Sequence, residues 1–172
     1  VIWTTTPWTL PSNQAVAVNP DLDYALVRTE RGHLVIADAL VERCLKRFKL
    51  TGEVIARCVG KTLEHCNVRH PFYDRISLMI LGEHVSDTDG TGLVHTSPAY
   101  GVEDFQALKR YSDEVINPVQ GDGRYAADLP LFGGLKITEA NPRIVEHLAS
   151  LGRLLASFDS DHSVAHCWRH KT

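Results

Sequence analysis

The stretch TTTPWTLPSN, residues 4–13, lies almost at the start of the chain and directly before its first predicted strand. Pro7 and Pro11 stiffen it, because each proline fixes its own φ angle and lacks a backbone N–H donor. Threonines also suit the end of a strand, where their hydroxyls satisfy a turn. In a functional interpretation, the hydroxyls and peptide N–H groups of a rigid segment converge on a substrate oxygen. These residues alone leave both interpretations open.

Outward from this Thr-rich segment, the chain is rich in short strands. Runs of alternating or β-branched residues bounded by turn-formers predict strands at 15–18, 24–29, 34–37, 54–59, 77–81 and 93–96. Helices are predicted from a cap at Asp38 to about residue 48, at 102–111, and after Asn141-Pro142 up to a stop at Gly152. Because there is no regular βαβ alternation, we expect an α+β fold, a compact β-barrel-like domain with about three short peripheral helices.

Composition and charge exclude several classes of protein. Of 172 residues, 44% are hydrophobic, enough for a real core, and we expect a single domain over residues 1–172. The net charge of −3 provides no general attraction for nucleic acid, so an RNA partner requires a local patch or another domain. We expect no membrane association, because no apolar run approaches the length of a bilayer span. Because the chain begins at Val1 and ends in HCWRHKT, we expect a piece cut from a larger protein.

Cysteine usage predicts a reducing, cytoplasmic location. The spacings are wide and contain no CxxC, which argues against a disulfide framework and a four-cysteine zinc site. The four are Cys44, Cys58, Cys66 and Cys167.

A second stretch, GTGLVHTSPAYGVEDF at 90–105, carries groups that suit a binding site. His95 lies in a predicted strand, and Glu103 and Asp104 lie near a helix start. Acids at a helix start often only complement the helix dipole, and a lone histidine is often a core residue. Together with a hydroxyl-rich segment, however, they are typical of a small polar pocket. A carboxylate there attracts an ammonium group, so the substrate could be an amino acid or its ester.

Metal sites fit the sequence poorly. DTDGTG, at 87–92, has the alternating acids of a calcium loop, but Thr91 and Pro98 stand where further ligands are needed. HCWRH, at 166–170, lacks the two-residue gaps that let paired ligands share zinc, so we expect a basic surface or interdomain strand there. The cluster that it forms with an upstream histidine comprises His162, His166, Cys167 and His170.

Taken together, TTTPWTLPSN and GTGLVHTSPAYGVEDF resemble the two characteristic stretches of the editing domain inserted into isoleucyl-tRNA synthetases, which belong to the class I aminoacyl-tRNA synthetases. DHSVAHCWRHKT, at 161–172, resembles the strand by which that insertion returns to the catalytic core. The resemblance covers almost the whole chain in the family's order, and it places 1–13 and 160–172 near the junctions with the core. The assignment to isoleucine rests mainly on Thr6-Pro7-Trp8 and on His95. Valine and leucine relatives have an arginine-containing threonine motif, and the valine enzyme has a lysine at the position of His95.

The resemblance implies roles for particular residues. Asp104 is expected to anchor the α-ammonium of a misattached amino acid, and Asn13 to be a loop residue that editing requires. The segment beside the scissile ester is expected to be Thr4, Thr5 and Thr6. The region that receives the valine side chain or the terminal ribose is expected to be lined by Trp8, Thr9 and His95. The departures from the family pattern are Ser12, where many relatives have alanine, and His170, where some have cysteine.

The activity implied by the resemblance is proofreading hydrolysis of valine from tRNA(Ile), with the mischarged 3′ end and the catalytic core of the parent synthetase as partners. We expect the parent to act as a monomer with ATP and magnesium. We expect no cofactor in this domain and no zinc at Cys167 and His170.

Three alternatives stay open at this point. One is a valine- or leucine-specific editing domain, and another is a freestanding deacylase. The third is a non-catalytic RNA-binding module in which Arg169, His170 and Lys171 contact phosphate. That module predicts salt-dependent tRNA binding without preference for the attached amino acid.

Overall fold

The computed structural model describes residues 1–158, which form seven strands and three α-helices. The strands are β1 Ala15–Val18, β2 Asp23–Thr29, β3 Gly32–Ala37, β4 Gly52–Val59, β5 Asn67–Arg69, β6 Ile76–Leu81 and β7 Leu93–Thr96. The helices are α1 Val41–Phe48, α2 Val102–Leu108 and α3 Ile137–Ser150. Short 3₁₀ helices occur at Pro7–Ser12, Asp38–Leu40 and Gly60–Leu63. The first of these makes up much of the Thr-rich segment.

The strands form two separate sheets. One sheet has the order β5-β6-β1-β7, in which β1 pairs parallel with β6 and antiparallel with β7. The other has the order β3-β2-β4 and is antiparallel throughout. The α+β prediction is therefore confirmed, but "barrel-like" was loose: in residues 1–158 the strands do not close into a ring. Strand β5 was missed, because three residues carry too little alternation to be recognised.

Strand β1 positions the site because both of its faces are buried. Val16 and Val18 face a core shared with the three-stranded sheet and α1, while Ala15 and Ala17 face a second core beneath α2. This division follows from the two-residue period of a strand. Large side chains fill the wide gap between the sheets, and alanines allow α2 to approach closely. The strand therefore holds β7 and the start of α2 in a defined relation.

Gly92 lets the two sheets approach each other just before β7. Its φ is +75°, and a Cβ built there lies 2.3 Å from the Cβ of Ala37. Any larger residue would push β7 away from the three-stranded sheet. The Tyr24 hydroxyl, from β2, donates to the Gly92 carbonyl at 2.8 Å and so links β2 to the start of β7.

A third core lies between α3, the turns before it and the Thr-rich segment. Its buried members are Leu10, Tyr125, Phe132, Ala140, Ile144 and Leu148. The GDG stretch at 121–123, before α3, forms a turn in which the Gly123 N–H donates to the Gln120 carbonyl at 3.0 Å. The N-terminal end of the chain is therefore packed against a region more than 100 residues later.

Helix α3 begins a turn earlier than predicted. Asn141 and Pro142 lie inside it rather than at its start, while Gly152, with a φ of +66°, follows its end as expected. Because Pro142 has no N–H, the Thr138 carbonyl four residues earlier has no helical partner. The start is capped instead by Glu139, whose carboxylate accepts the Lys136 N–H at 3.1 Å.

The cap predicted at Asp38 is also wrong. Helix α1 has Leu40 as its N-cap without a side-chain cap bond, and Asp38 lies in the preceding 3₁₀ turn. The Asp38 carboxylate accepts the Arg57 Nε–H at 2.9 Å, so β4 competes successfully for it. The second predicted helix is α2, which ends at Leu108 rather than Tyr111.

Within residues 1–158, none of the helices has the length and hydropathy needed to span a bilayer.

Candidate functional site

The Thr-rich segment folds into a 3₁₀ helix whose second half is buried. Thr9, Leu10, Pro11 and Ser12 are all buried, and Pro7 occupies the first helical position, where its lack of an N–H costs nothing. Thr6 is bound into this helix, because its carbonyl accepts the Thr9 N–H at 3.0 Å and the Thr9 hydroxyl at 2.8 Å. Thr4, Thr5 and Thr6 therefore directly precede a rigid, largely buried 3₁₀ helix.

His95, on β7 opposite Val16, binds one residue inside this 3₁₀ helix and the residue that directly follows it. The Asn13 amide nitrogen donates to the Ala15 carbonyl at 2.8 Å and to His95 Nδ1 at 2.7 Å. His95 Nε2 lies 2.9 Å from the Thr9 hydroxyl oxygen. On the other side, Asn13 Oδ1 accepts the Ser77 hydroxyl from β6. Four polar side chains from three parts of the chain thus form one buried network.

The partners of His95 define its tautomer. Nδ1 accepts from Asn13 and so carries no hydrogen, which places the ring hydrogen on Nε2. The Thr9 hydroxyl, which gives its own hydrogen to the Thr6 carbonyl, is free to accept it. Burial, with a smaller contribution from His70, lowers the His95 pKa to about 3. His95 is therefore a neutral bridge between β7 and the Thr-rich segment, with both nitrogens already occupied.

The second stretch meets the Thr-rich segment through two serines. The Ser12 and Ser97 hydroxyl oxygens lie 2.9 Å apart, and Ser12 also donates to the Thr9 carbonyl at 2.8 Å. Next along, the Ser97 N–H donates to Asp104 Oδ2 at 2.8 Å. The structure thus brings the start of α2 to within one residue of the 3₁₀ helix, although more than 80 residues separate Ser12 from Ser97 in the chain.

Asp104 is a half-buried carboxylate with unused capacity. Among residues 1–158, its one hydrogen bond is the one that Oδ2 accepts from Ser97. Burial raises the pKa of this carboxyl, and the Ser97 N–H and the nearby His84 oppose the shift only in part. A raised pKa means that the ionised form lacks sufficient stabilising partners. A ligand ammonium would supply the missing partner.

Trp8 and the three threonines lie at the accessible edge of the site. The Trp8 ring packs edge-on against Tyr100 with 4.7 Å between ring centroids. Thr5 is exposed and Thr4 and Thr6 are half-buried, with the Thr4 hydroxyl accepting the Thr6 N–H at 3.0 Å. Thr9 and His95, in contrast, are each only 6% exposed and bind each other. Contact of Thr9 and His95 with a ligand therefore stays a prediction.

Two cavities border the Thr-rich segment. One of about 640 Å³ is lined by Thr4, Thr5 and Pro7 together with apolar residues of α3, and one of about 440 Å³ lies between the sheets and reaches Asn13. Among the described residues, Asp104 lines neither of them. Asp104 lies instead beside Ser97, on the face of the 3₁₀ helix where Ser12 contacts Ser97.

Several side chains that hold this region were not predicted from the sequence. They are Ser77, Ser97, Tyr100, Tyr125, Asn141 and two residues of RHPFYDR, His70 and Arg75. In the sequence, the only indication of their role was the concentration of aromatic and charged residues in RHPFYDR, 69–75. Asn141 was misassigned to a helix cap because Asn-Pro is a common helix start.

The candidate ligand cluster His162, His166, Cys167 and His170, and the basic residues Arg169 and Lys171, lie outside the described residues. Within residues 1–158, no three His, Cys, Asp or Glu side chains are arranged to hold a metal ion. The expectations about zinc and cofactors stay predictions.

Comparison with known proteins places the whole chain beside one group of enzymes. It is 53% identical over 175 residues to "Isoleucine--tRNA ligase" of Azoarcus sp. (strain BH72), and 54% identical over 175 residues to that of Stutzerimonas stutzeri (strain A1501). It is 54% identical over 181 residues to "Isoleucine--tRNA ligase 1" of Burkholderia mallei (strain ATCC 23344). All of the chain is covered each time, but it spans only 19% of each relative. No protein-family model matches the chain.

A solved structure described as "The crystal structure of GlLeuRS-CP1" has the same fold. The TM-score is 0.68 at 14% identity, covering 87% of this chain and 79% of that one. The resemblance drawn from the two sequence stretches is therefore confirmed, as is the mixed fold.

Proposed function

Since the chain belongs to the isoleucine–tRNA ligase family and has the fold of a CP1 domain, we propose that it hydrolyses valine from mischarged tRNA(Ile). The substrate is the ester that joins valine to the terminal adenosine of the tRNA, with valyl-adenylate as a further candidate. The single observation that carries the proposal is the contact between the two stretches. Ser12, in the Thr-rich segment, contacts Ser97, and the Ser97 N–H donates to the Asp104 carboxylate. This carboxylate has capacity for an ammonium.

The need for such a site follows from the limits of binding. A site that accepts isoleucine rejects valine by only about 10–200-fold, and this enzyme family is itself the usual worked example of that limit. Accuracy beyond it requires a second site that admits the smaller amino acid and excludes the larger one. We propose that this domain is that second site.

Asp104 is the proposed anchor for the α-ammonium. Its carboxylate is partly desolvated, which raises its pKa, and within residues 1–158 it accepts one hydrogen bond, from the Ser97 N–H. An ammonium at this position gains a charge-assisted hydrogen bond, which is roughly twice as strong as a neutral one. Anchoring the ammonium fixes the ester carbonyl relative to the protein.

The threonines are the proposed binding groups for the reacting ester. Thr4, Thr5 and Thr6 present hydroxyls at the edge of a rigid 3₁₀ helix, and donors of this kind stabilise an oxyanion. A threonine hydroxyl is too weak a base to activate water, so the attacking water is oriented, with help from the free ribose hydroxyl beside the ester. Since His95 is neutral with both nitrogens occupied, the mechanism assigns it no proton transfer.

The proposed setting is a large cytoplasmic synthetase acting as a monomer. Its catalytic core supplies the aminoacylated tRNA, and ATP and magnesium belong to that core. We propose that the editing step itself uses no cofactor, because binding and oriented water suffice for ester hydrolysis.

The test is hydrolysis by the full-length protein of tRNA(Ile) charged with valine or with isoleucine. We expect the valyl ester to be hydrolysed at least about tenfold faster, the scale on which one methylene can be discriminated. Equal rates for the two esters, or no hydrolysis of either, would refute the proposal. Salt-dependent tRNA binding without regard to the amino acid would instead support the RNA-binding module.

A further inference from the structure

The backbone of the Thr-rich segment is held by side chains from distant parts of the chain. A 3₁₀ helix of six residues leaves several N–H and C=O groups without helical partners. The Trp8 N–H donates to Asn141 Oδ1 at 2.8 Å, and the Trp8 carbonyl accepts the Tyr125 hydroxyl. Both partners come from α3 and the turns before it.

Two further bonds come from another part of the chain, the loop between β5 and β6. His70 Nε2 donates to the Leu10 carbonyl at 2.8 Å, and Arg75 Nη2 donates to the Pro11 carbonyl at 2.8 Å. We call His70, Arg75, Tyr125 and Asn141 the clamp. Each of the four binds a main-chain atom, so the clamp fixes the path of the backbone whatever side chains the segment carries.

His70 is constrained to its role as donor. Its Nδ1 accepts the N–H groups of Phe72 at 3.3 Å and Tyr73 at 3.1 Å, so the ring hydrogen must be on Nε2. The ring is only 2% exposed, and burial lowers its pKa to about 4. At neutral pH it is therefore a neutral donor aimed at Leu10.

The two sides of the clamp are joined to each other. The Tyr73 hydroxyl donates to the Pro130 carbonyl at 2.8 Å. The Phe72 ring packs edge-on against Phe132 and His147, with centroid distances of 5.6 and 5.8 Å. The two parts of the clamp therefore contact each other and do not act as independent bonds.

The reactive threonines depend on this clamp for their position. Thr4, Thr5 and Thr6 make few side-chain bonds of their own, the closest being the 3.0 Å bond within the segment. They are fixed mainly because the Thr6 carbonyl is tied to Thr9, whose neighbours Trp8 and Leu10 are held by the clamp. Oxyanion donors lose most of their effect when displaced by about 1 Å.

We propose that His70, Arg75, Tyr125 and Asn141 are positioning residues that hold Thr4–Thr6 in register with the ester. This inference rests on the proposed function, because it concerns the same reaction. None of the four belongs to the Thr-rich segment or to the stretch 90–105, and each acts through the main chain of the segment rather than by touching the substrate.

Asn141 gives the sharpest test. Asn141→Ala removes the acceptor of the Trp8 N–H, yet alanine favours an α-helix more than asparagine does, so α3 is retained. Asn141→Asp keeps an acceptor oxygen and serves as the rescue variant. Arg143→Ala, an exposed position two residues further along the same helix, is the matched control.

The measurement is kcat and KM for hydrolysis of valyl-tRNA by the full-length protein, with amide hydrogen exchange of residues 4–9 in parallel. We expect Asn141→Ala to lower kcat by about 10- to 100-fold with KM nearly unchanged, and to speed exchange at residues 4–9. Asn141→Asp should restore most of both, and Arg143→Ala should alter neither. A purely structural role would instead lower the melting temperature and leave kcat per folded molecule unchanged.

The possible failures can be told apart. If the unaltered protein hydrolyses valyl-tRNA but Asn141→Ala has the same kcat, the positioning role is refuted and the proposed function stands. If the unaltered protein does not hydrolyse valyl-tRNA, both are refuted.

Discussion

The two sheets of this domain differ sharply in what they bury. Polar side chains of the three-stranded sheet, Tyr24 aside, are exposed or half-buried, and its charges pair at the surface, as Arg28 and Glu53 do at 2.7 Å. The four-stranded sheet and the segments attached to it bury polar groups. They include Thr9, Ser12, Asn13, Ser77, His95, Thr96 and Ser97. The three-stranded sheet is a scaffold whose polar side chains face solvent, and the four-stranded sheet contains an internal polar network.

This difference indicates where function lies. Burying a hydroxyl, amide or imidazole is costly unless every donor and acceptor finds a partner. Here the partners are found, and the network defines one orientation for the Thr-rich segment and for His95. An apolar core would have been simpler to build, so we infer that the polar network is there to set the geometry of the site.

The largest expected effect comes from removing the charge of Asp104. Asp104→Asn keeps an acceptor for the Ser97 N–H but removes the partner of the ammonium. We expect kcat/KM for valyl-tRNA hydrolysis to fall by about 100-fold or more, as when a charged pair loses one member. Glu103→Gln, at the exposed neighbouring acid of α2, is the matched control and should have little effect. Comparable losses in both variants would mean that general negative charge, and not Asp104, attracts the substrate.

The next effect tests the polar network itself. Asn13→Ala leaves His95 Nδ1 and the Ser77 hydroxyl without their partner, and should lower the free energy of unfolding by about 1–3 kcal/mol. Urea denaturation of the 172-residue chain measures this. A loss below about 0.5 kcal/mol would show that water replaces Asn13 and that the network is not tightly coupled.

Acid should weaken the network side of the molecule. The pKa values of His95 and His70 are lowered to about 3 and about 4, so the unfolded chain binds more protons than the folded one below about pH 6.5. Their contribution to stability is therefore present at neutral pH and is lost as the pH falls from about 6.5 towards 4 for His70 and towards 3 for His95. We expect up to about 1.4 kcal/mol per pH unit for each histidine.

Urea denaturation at a series of pH values gives this slope. His33→Gln, at an exposed position of β3, should leave it unchanged. A flat profile between pH 6.5 and 4 would contradict the neutral, buried state of the two rings.

The smallest effect is expected on the three-stranded sheet. Arg28→Ala breaks the pair with Glu53, but both side chains are more than half exposed, so the free energy of unfolding should change by less than about 1 kcal/mol. Editing activity should not change. A large loss of activity would show that the three-stranded sheet takes part in the site. It would then be wrong that only the four-stranded sheet serves function.

Local patterns predicted much of the secondary structure. The six predicted strands are present, because β-branched runs bounded by turns leave few alternatives. Errors arose where a residue had two possible partners. Asp38 binds Arg57 instead of capping α1, and Asn141 binds Trp8 instead of capping α3.

The site was only partly predictable for a similar reason. The two stretches with unusual composition predicted Thr4–Thr6, His95 and Asp104 as site residues, but sequence could not show that His95 is buried and neutral. Nor could it show that Asn141 meets Trp8, since 133 residues separate them. Contacts of that kind depend on how α3 packs, which no local pattern specifies.

The most direct test of the account is a calorimetric titration with two non-hydrolysable analogues of the aminoacylated terminal adenosine, one valyl and one isoleucyl. We predict that the valyl analogue binds at least about tenfold more tightly than the isoleucyl one, and that Asp104→Asn binds neither. Equal binding of the two analogues, or unchanged binding by Asp104→Asn, would contradict the central claim that this domain selects valine and anchors its ammonium at Asp104.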